Sequence, residues 1–180
     1  MMTEIRAVSG GDSPLVSAFF RSVYESRHGV GSSSEIEMLQ HTVAALFGGD
    51  DAPTVWVSER SGAVQGVVAV RHSVTPAPCE LVTIQTHDTV KGRGTAQTLL
   101  RHVVTTCAER GGTALETSVP SSDVRARGFL RREGFVASSE ELEGAGPGED
   151  VTITYRLDVV EALALAERVA SHDQAGRDAQ

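Results

Sequence analysis

The stretch from Glu80 to Val104 constrains this chain more than any other. Its first part, Leu81 to His87, is rich in Val, Ile and Thr, residue types that fit a pleated, half-buried strand. A short loop from Val90 to Ala96 carries Gly92 and Gly94. A helix is predicted from about Thr95, with Leu99, Leu100, Val103, Val104 and Cys107 at helical spacing. A strand, a glycine loop and a helix start bring several backbone N–H groups to the positive end of a helix. That concavity binds a phosphate without needing a charged side chain.

The segments around it read as support. Glu4–Ser9 is a short strand, and Gly10-Gly-Asp-Ser-Pro14 opens a helix with an expected face of Leu15, Ala18, Phe19, Ser22 and Val23. A second helix opens at a capping box, Ser32 with Glu35 or Ser34 with Glu37, and its stripe is Ile36, Leu39, Val43 and Leu46. Thr54–Arg60 and Val64–His72 alternate around Ser61-Gly-Ala63 as a hairpin. After the central stretch come a strand over Thr113–Val119, a helix over Val124–Arg132 and strands over Phe135–Ala137 and Asp150–Leu157. The Ser138–Glu149 segment between the last two is rich in Gly and Glu and reads as an exposed loop. The order predicts an α/β (α+β) fold with a mixed sheet, and Leu81–Val119 should hold two parallel strands. One domain is expected over 1–157, then an amphipathic helix over 158–170 and a disordered polar tail over 171–180.

Composition narrows the function. Aromatics are only 4% of the chain, so Val, Leu, Ile and Ala must build the core. The net charge is −8 with no basic stripe, which argues against a nucleic-acid partner and mildly favours a cationic one. The two cysteines, Cys79 and Cys107, have no metal-ligand spacing, so no metal is expected, and Cys107 reads as a buried free thiol. No apolar run is long enough to cross a membrane, and the first residues lack a hydrophobic signal core; a cytoplasmic location is expected. Among phosphate loops, G-x-G-x-x-G fails for want of its third glycine after Gly92-Arg-Gly94, and neither G-x-x-x-x-G-K-[ST] nor G-x-S-x-G occurs.

Lys91-Gly-Arg-Gly-Thr-Ala96 resembles the [Arg/Gln]-x-x-Gly-x-[Gly/Ala] signature of the GNAT superfamily of acyl-CoA-dependent N-acyltransferases, with Lys91 in the first place. The resemblance continues through Val119-Pro-Ser-Ser-Asp123 and Ala126-Arg-Gly-Phe-Leu130 to Gly134-Phe135. It departs at Thr86 and Asp88, where relatives more often have Val and Pro.

The resemblance implies a GNAT-type, mostly antiparallel sheet flanked by helices, with an extra C-terminal helix. It implies acetyl-CoA or a related acyl-CoA as cofactor. Lys91, Gly92, Arg93, Gly94, Thr95, Ala96 and Gln97 would hold the pyrophosphate, and the main chain of Ile84, Gln85 and Thr86 the pantetheine arm. Asp123 stands where Asn often touches that arm. The expected reaction is acetyl transfer to a primary amine, for which a base must deprotonate the incoming ammonium. Glu80 is the first candidate, Glu116 the second, and His87 or Asp88 a relay through water. The acid tyrosine of the family falls at Leu130, which cannot donate a proton; Tyr24, Tyr155 or water would have to replace it. The partner is then a small-molecule amine, with a homodimer possible. The alternative is a GNAT-fold acyl-CoA binder that is non-catalytic or diverted to another acyl-CoA reaction.

Overall fold

A computed structural model describes residues 4–73, 77–137 and 151–177. The strands are β1 (Glu4–Ala7), β2 (Thr54–Arg60), β3 (Ala63–Arg71), β4 (Cys79–Thr86), β5 (Ala114–Pro120), β6 (Val136–Ala137) and β7 (Thr152–Asp158). The helices are α1 (Ser13–His28), α2 (Ser33–Phe47), α3 (Thr95–Glu109), α4 (Val124–Arg132) and α5 (Val159–Arg177). Among the described residues these strands make one mixed sheet of order β1-β2-β3-β4-β5-β7-β6. Pairs β1–β2, β2–β3, β5–β7 and β6–β7 are antiparallel, and β4–β5 is parallel. The mixed sheet expected from the element order, mostly antiparallel as the resemblance implies, is therefore the one found. No helix among the described residues is long and apolar enough to cross a membrane. The Ser138–Glu149 loop lies outside the described residues.

The chain divides into two compact units, Met1–His72 with Leu81–Val103, and Ser73–Glu80 with Val104–Gln180. In the first unit, Ser32 N–H and Ser32 Oγ donate to Glu35 Oε2 at 2.8 and 2.7 Å, so the expected capping box starts α2. The core packs Val16, Phe19, Phe20 and Val23 of α1 with Val43 and Leu46 of α2 onto Val55, Val57, Val67 and Ala69 of the β2–β3 hairpin. The α1 face is turned by about one residue from the expected one. Val16 and Phe20 are in, while Ala18 and Ser22 face solvent. Phe19 and Phe20 are both buried in the core and pack edge to face at 5.8 Å. At Gly66 a Cβ would lie 2.8 Å from Leu99 Cδ1 and 3.1 Å from Gln85 O, so the bare backbone lets α3 and β4 close on β3.

In the second unit the strands alternate. Ile153, Tyr155 and Leu157 of β7 are buried, with Leu115 opposite Leu157 and Thr117 opposite Tyr155. Leu130, Phe135, Val104, Cys107 and Val159 are buried in the same unit. The polar face of β5 and β7 carries Glu116, Ser118, Thr154 and Arg156. The last helix corrects one expectation. It runs to Arg177 and does not stop at Ala170, so the segment expected to be disordered from Ser171 is helical to that point. No proline interrupts it, and its first glycine is Gly176, so nothing local ends the helix sooner.

Candidate functional site

Three local devices shape the loop at the end of β4. His87 caps a 3-10 turn over Asp88–Val90, accepting from Thr89 N–H. Lys91 N–H bonds Asp88 O at 3.2 Å and Arg93 N–H bonds Val90 O at 3.1 Å, which curls the chain back on itself. Gly92 and Gly94 then take φ of 73° and 76°, a left-handed conformation that glycine enters at no steric cost. A Cβ at either would meet nothing within 4 Å, so the backbone angle requires glycine there, not a lack of space. Thr98 N–H closes the first bond of α3 onto Gly94 O at 2.8 Å. The first-turn amides of Thr95, Ala96 and Gln97 therefore have no earlier carbonyl of the helix to bond. Lys91, Gly92, Arg93 and Gly94 are exposed around them. The strand, glycine loop and helix start expected from the sequence are thus in place.

Its electrostatics are less simple. Lys91 Nζ sits 2.8 Å from Asp88 Oδ1, and Asp88 also accepts from Ser26 Oγ at 3.3 Å and faces Arg27 Nε at 3.6 Å. The Lys91 hydrogen bond, with the charge of Arg27, holds the Asp88 carboxyl down at about 2. Lys91 is thus tied to the stem of the loop, and Arg93 has the looser position.

α1 reaches this stem through residues that sequence reasoning passed over. Arg27 Nη1 donates to Gln85 Oε1 at 3.2 Å and Nη2 to Thr86 O at 3.4 Å. Ser22 Oγ lies 3.1 Å from His87 Nε2. On the other side of the ring, Nδ1 accepts from Thr89 N–H at 3.3 Å and lies 2.9 Å from Thr89 Oγ1. An Nδ1 that accepts from an amide leaves the ring proton on Nε2, facing Ser22. His87 therefore uses its lone pair as a cap in this geometry. No motif signals these contacts, because the partners are 58 to 65 residues apart.

In the second unit, Glu80 of β4 and Glu116 of β5 are register partners across the parallel pair. Glu116 in turn faces its β7 partner Arg156, whose Nη1 donates to Glu116 Oε1 at 2.5 Å. Glu80, Glu116 and Arg156 thus form one cross-strand row, with the two carboxylates as neighbours in register. One residue pair further on, Ser118 and Thr154 hydroxyls meet at 2.8 Å. Asp123 caps α4, accepting from Ala126 N–H at 2.9 Å. Leu130 is 3% exposed. Both tyrosines have partners. Tyr155 is fully buried with its phenol 3.4 Å from Arg127 Nε. Tyr24 donates to Glu35, which raises the Tyr24 phenol and, with Ser32, holds the Glu35 carboxyl at about 2.

Comparison with known proteins converges on one family. The family described as acetyltransferase (GNAT) domain matches residues 32–147. A 5-NmdU N-acetyltransferase of Pseudomonas phage PaMx11 is 29% identical over 92 residues, and the match spans 51% of this chain and 64% of that protein. The fold is similar to that of a GNAT-family protein from Desulfovibrio desulfuricans, with TM-score 0.71 and 21% identity over 88% of this chain and 99% of the other. It is also similar to the PaiA N-acetyltransferase of Thermoplasma acidophilum, solved in complex with coenzyme A, with TM-score 0.63 and 15% identity over 87% and 100%. With well over half its length matched and the glycine loop standing at the start of α3, this chain belongs to the GNAT acetyltransferase family.

Proposed function

We propose that the protein transfers an acetyl group from acetyl-CoA to a primary amine of a small molecule by direct attack. The observation that carries this is the loop itself: two left-handed glycines deliver the chain into the first turn of α3 and its backbone N–H groups. That donor set suits a pyrophosphate. A relative of the same fold was solved with coenzyme A.

Gly92 to Gln97 would hold the pyrophosphate, with Arg93 beside it, and the main chain of Ile84 to Thr86 would align the pantetheine arm. Bound acetyl-CoA supplies the acetyl group as an activated thioester. The chain's own work is to take a proton, since only a neutral amine is a nucleophile. Glu80 is assigned as the base. It stands at the second residue of β4, on the strand that leads into the glycine loop, in register with Glu116 of β5. Gln85 and Thr86 are braced by Arg27, which fixes the end of β4.

A second reading is an acyl-CoA binder without transfer. It is favoured by the buried Leu130, at the position where the resemblance puts the family's acid, and by the engagement of both tyrosines. A thiolate leaves without assistance more readily than an alkoxide, so this weakens the first reading without replacing it. Thermal stabilisation by acetyl-CoA tests binding, and release of free thiol with a panel of amines, 5-NmdU included, tests transfer. Stabilisation with no thiol release for any amine overturns the enzyme reading. No stabilisation overturns both.

A further inference from the structure

The chain's two cysteines, Cys79 and Cys107, serve no step of the proposed reaction. Both are buried in the second unit, Cys79 at the first residue of β4 and Cys107 in the last turn of α3. Their sulfur atoms lie within 4.8 Å of each other, and the two thiols are hydrogen-bonded. The backbone makes room for this pair. Gly112 N–H bonds Cys107 O at 2.8 Å and so folds the chain back after α3. A Cβ at Gly112 would lie 2.9 Å from Cys79 Sγ and 3.0 Å from Cys107 O. Only a glycine there leaves the Cys79 sulfur its place against the end of the helix.

We propose that Cys79 and Cys107 are a redox-active dithiol that a peroxide converts to an intramolecular disulfide. Burial and the hydrogen bond with Cys79 push the Cys107 thiol up, which suits Cys107 to the second, resolving step. The Cys79 thiolate sulfur attacks a peroxide oxygen. The O–O bond breaks, hydroxide leaves, and Cys79 becomes a sulfenic acid. The Cys107 sulfur then attacks the sulfenic sulfur. The S–O bond breaks, and the hydroxyl leaves as water with the Cys107 proton. In total, two thiols and one hydrogen peroxide give one disulfide and two waters, and two electrons pass from sulfur to oxygen. The sulfurs must close to about 2.05 Å, a movement of less than about 3 Å between two side chains. The ring so formed contains β4, the glycine loop and nearly all of α3. It removes freedom from the unfolded chain and leaves the loop residues chemically untouched. Burial makes the reaction slow.

The test treats the full chain with hydrogen peroxide, removes the oxidant, denatures, and alkylates with N-ethylmaleimide before intact-mass analysis. The expected product has lost roughly 2 Da and takes up no maleimide, and dithiothreitol reverses this. Its Tm should rise by about 5–10 °C over the reduced chain. A peptide joining Cys79 to Cys107 should appear on digestion without reductant, and Cys107→Ser should instead accumulate oxygen adducts at Cys79. Two maleimides taken up after peroxide, oxygen adducts on the wild-type chain, or disulfides only between separate chains would overturn the proposal. If Cys107→Ser does not fold, the wild-type peptide map decides alone. None of these readouts depends on acetyl transfer.

Discussion

Replacing Gly94 by alanine isolates what the backbone of the loop contributes. Gly94 has φ 76°, and the space a Cβ would enter is open to 4 Å. The substitution therefore creates no clash. Its cost is the intrinsic penalty of an L-residue in the left-handed region, about 1–2 kcal/mol. That penalty can fall in two places. If the loop keeps its shape, the fold bears it, and Tm drops by about 2–8 °C for a chain of this size. If the loop relaxes to negative φ, the fold is spared. The Thr98 bond to Gly94 O, 2.8 Å in the native loop, and the aim of the first-turn amides are then lost. Acetyl-CoA must restore them on binding, and its affinity falls by the same free energy, about 5–30-fold. Calorimetric unfolding and isothermal titration with acetyl-CoA, in one buffer, measure both parts, and their sum should come to about 1–2 kcal/mol. Gly94→Asn should cost less, because asparagine enters the left-handed region more readily. An alanine variant with Tm within about 1 °C and affinity within twofold of the native protein would refute the argument. So would an asparagine variant worse than the alanine one.

Further expectations follow from the same geometry. Glu80→Gln should cut amine-dependent thiol release by about 100-fold or more while leaving acetyl-CoA affinity within twofold, and unchanged turnover would remove Glu80 as the base. Asp88, whose carboxyl is lowered from 3.8 to about 2, stabilises the fold above pH 3.8 and loses that contribution as pH falls through about 2. The Tm gap between native and Asp88→Asn proteins should thus be constant above that window, shrink within it and vanish below it. A gap that persists at lower pH would contradict the assigned cause. Leu130→Ala should destabilise by about 2–5 kcal/mol in urea unfolding, since Leu130 is 3% exposed, and a loss below about 1 kcal/mol would show the site is not packed as described.

Much of the architecture is readable from the residues because its signals are local. The Ser32–Glu35 box, the hairpin turn at Ser61-Gly62 and the bounds of α4 follow from caps, turn residues and periodicity within a few positions. The same locality explains the misses. The periodicity of α1 allowed two adjacent faces, and only packing on β2 and β3 chose the one with Phe20. α5 continues past Ala170 because a polar composition is no stop signal without glycine or proline at the right place. The cap of α4 was legible in Pro120-Ser-Ser-Asp123, and Asp123 accepts from Ala126 N–H at 2.9 Å.

The sequence by itself determined that a strand, a glycine loop and a helix start follow one another here, and which family pattern that loop resembles. These are properties of φ angles and of a helix start, written within a dozen residues. Only the tertiary structure decided how the polar groups are shared out. It set Arg27 and Ser22 of α1 against the end of β4, tied Lys91 to Asp88, and drew Arg156 to Glu116 beside Glu80. Most of these partners lie 40 to 65 residues apart, and a strand shifted by one residue would turn every one of its side chains to the other face. Their pairing is a matter of register and packing, which no short stretch of chain contains.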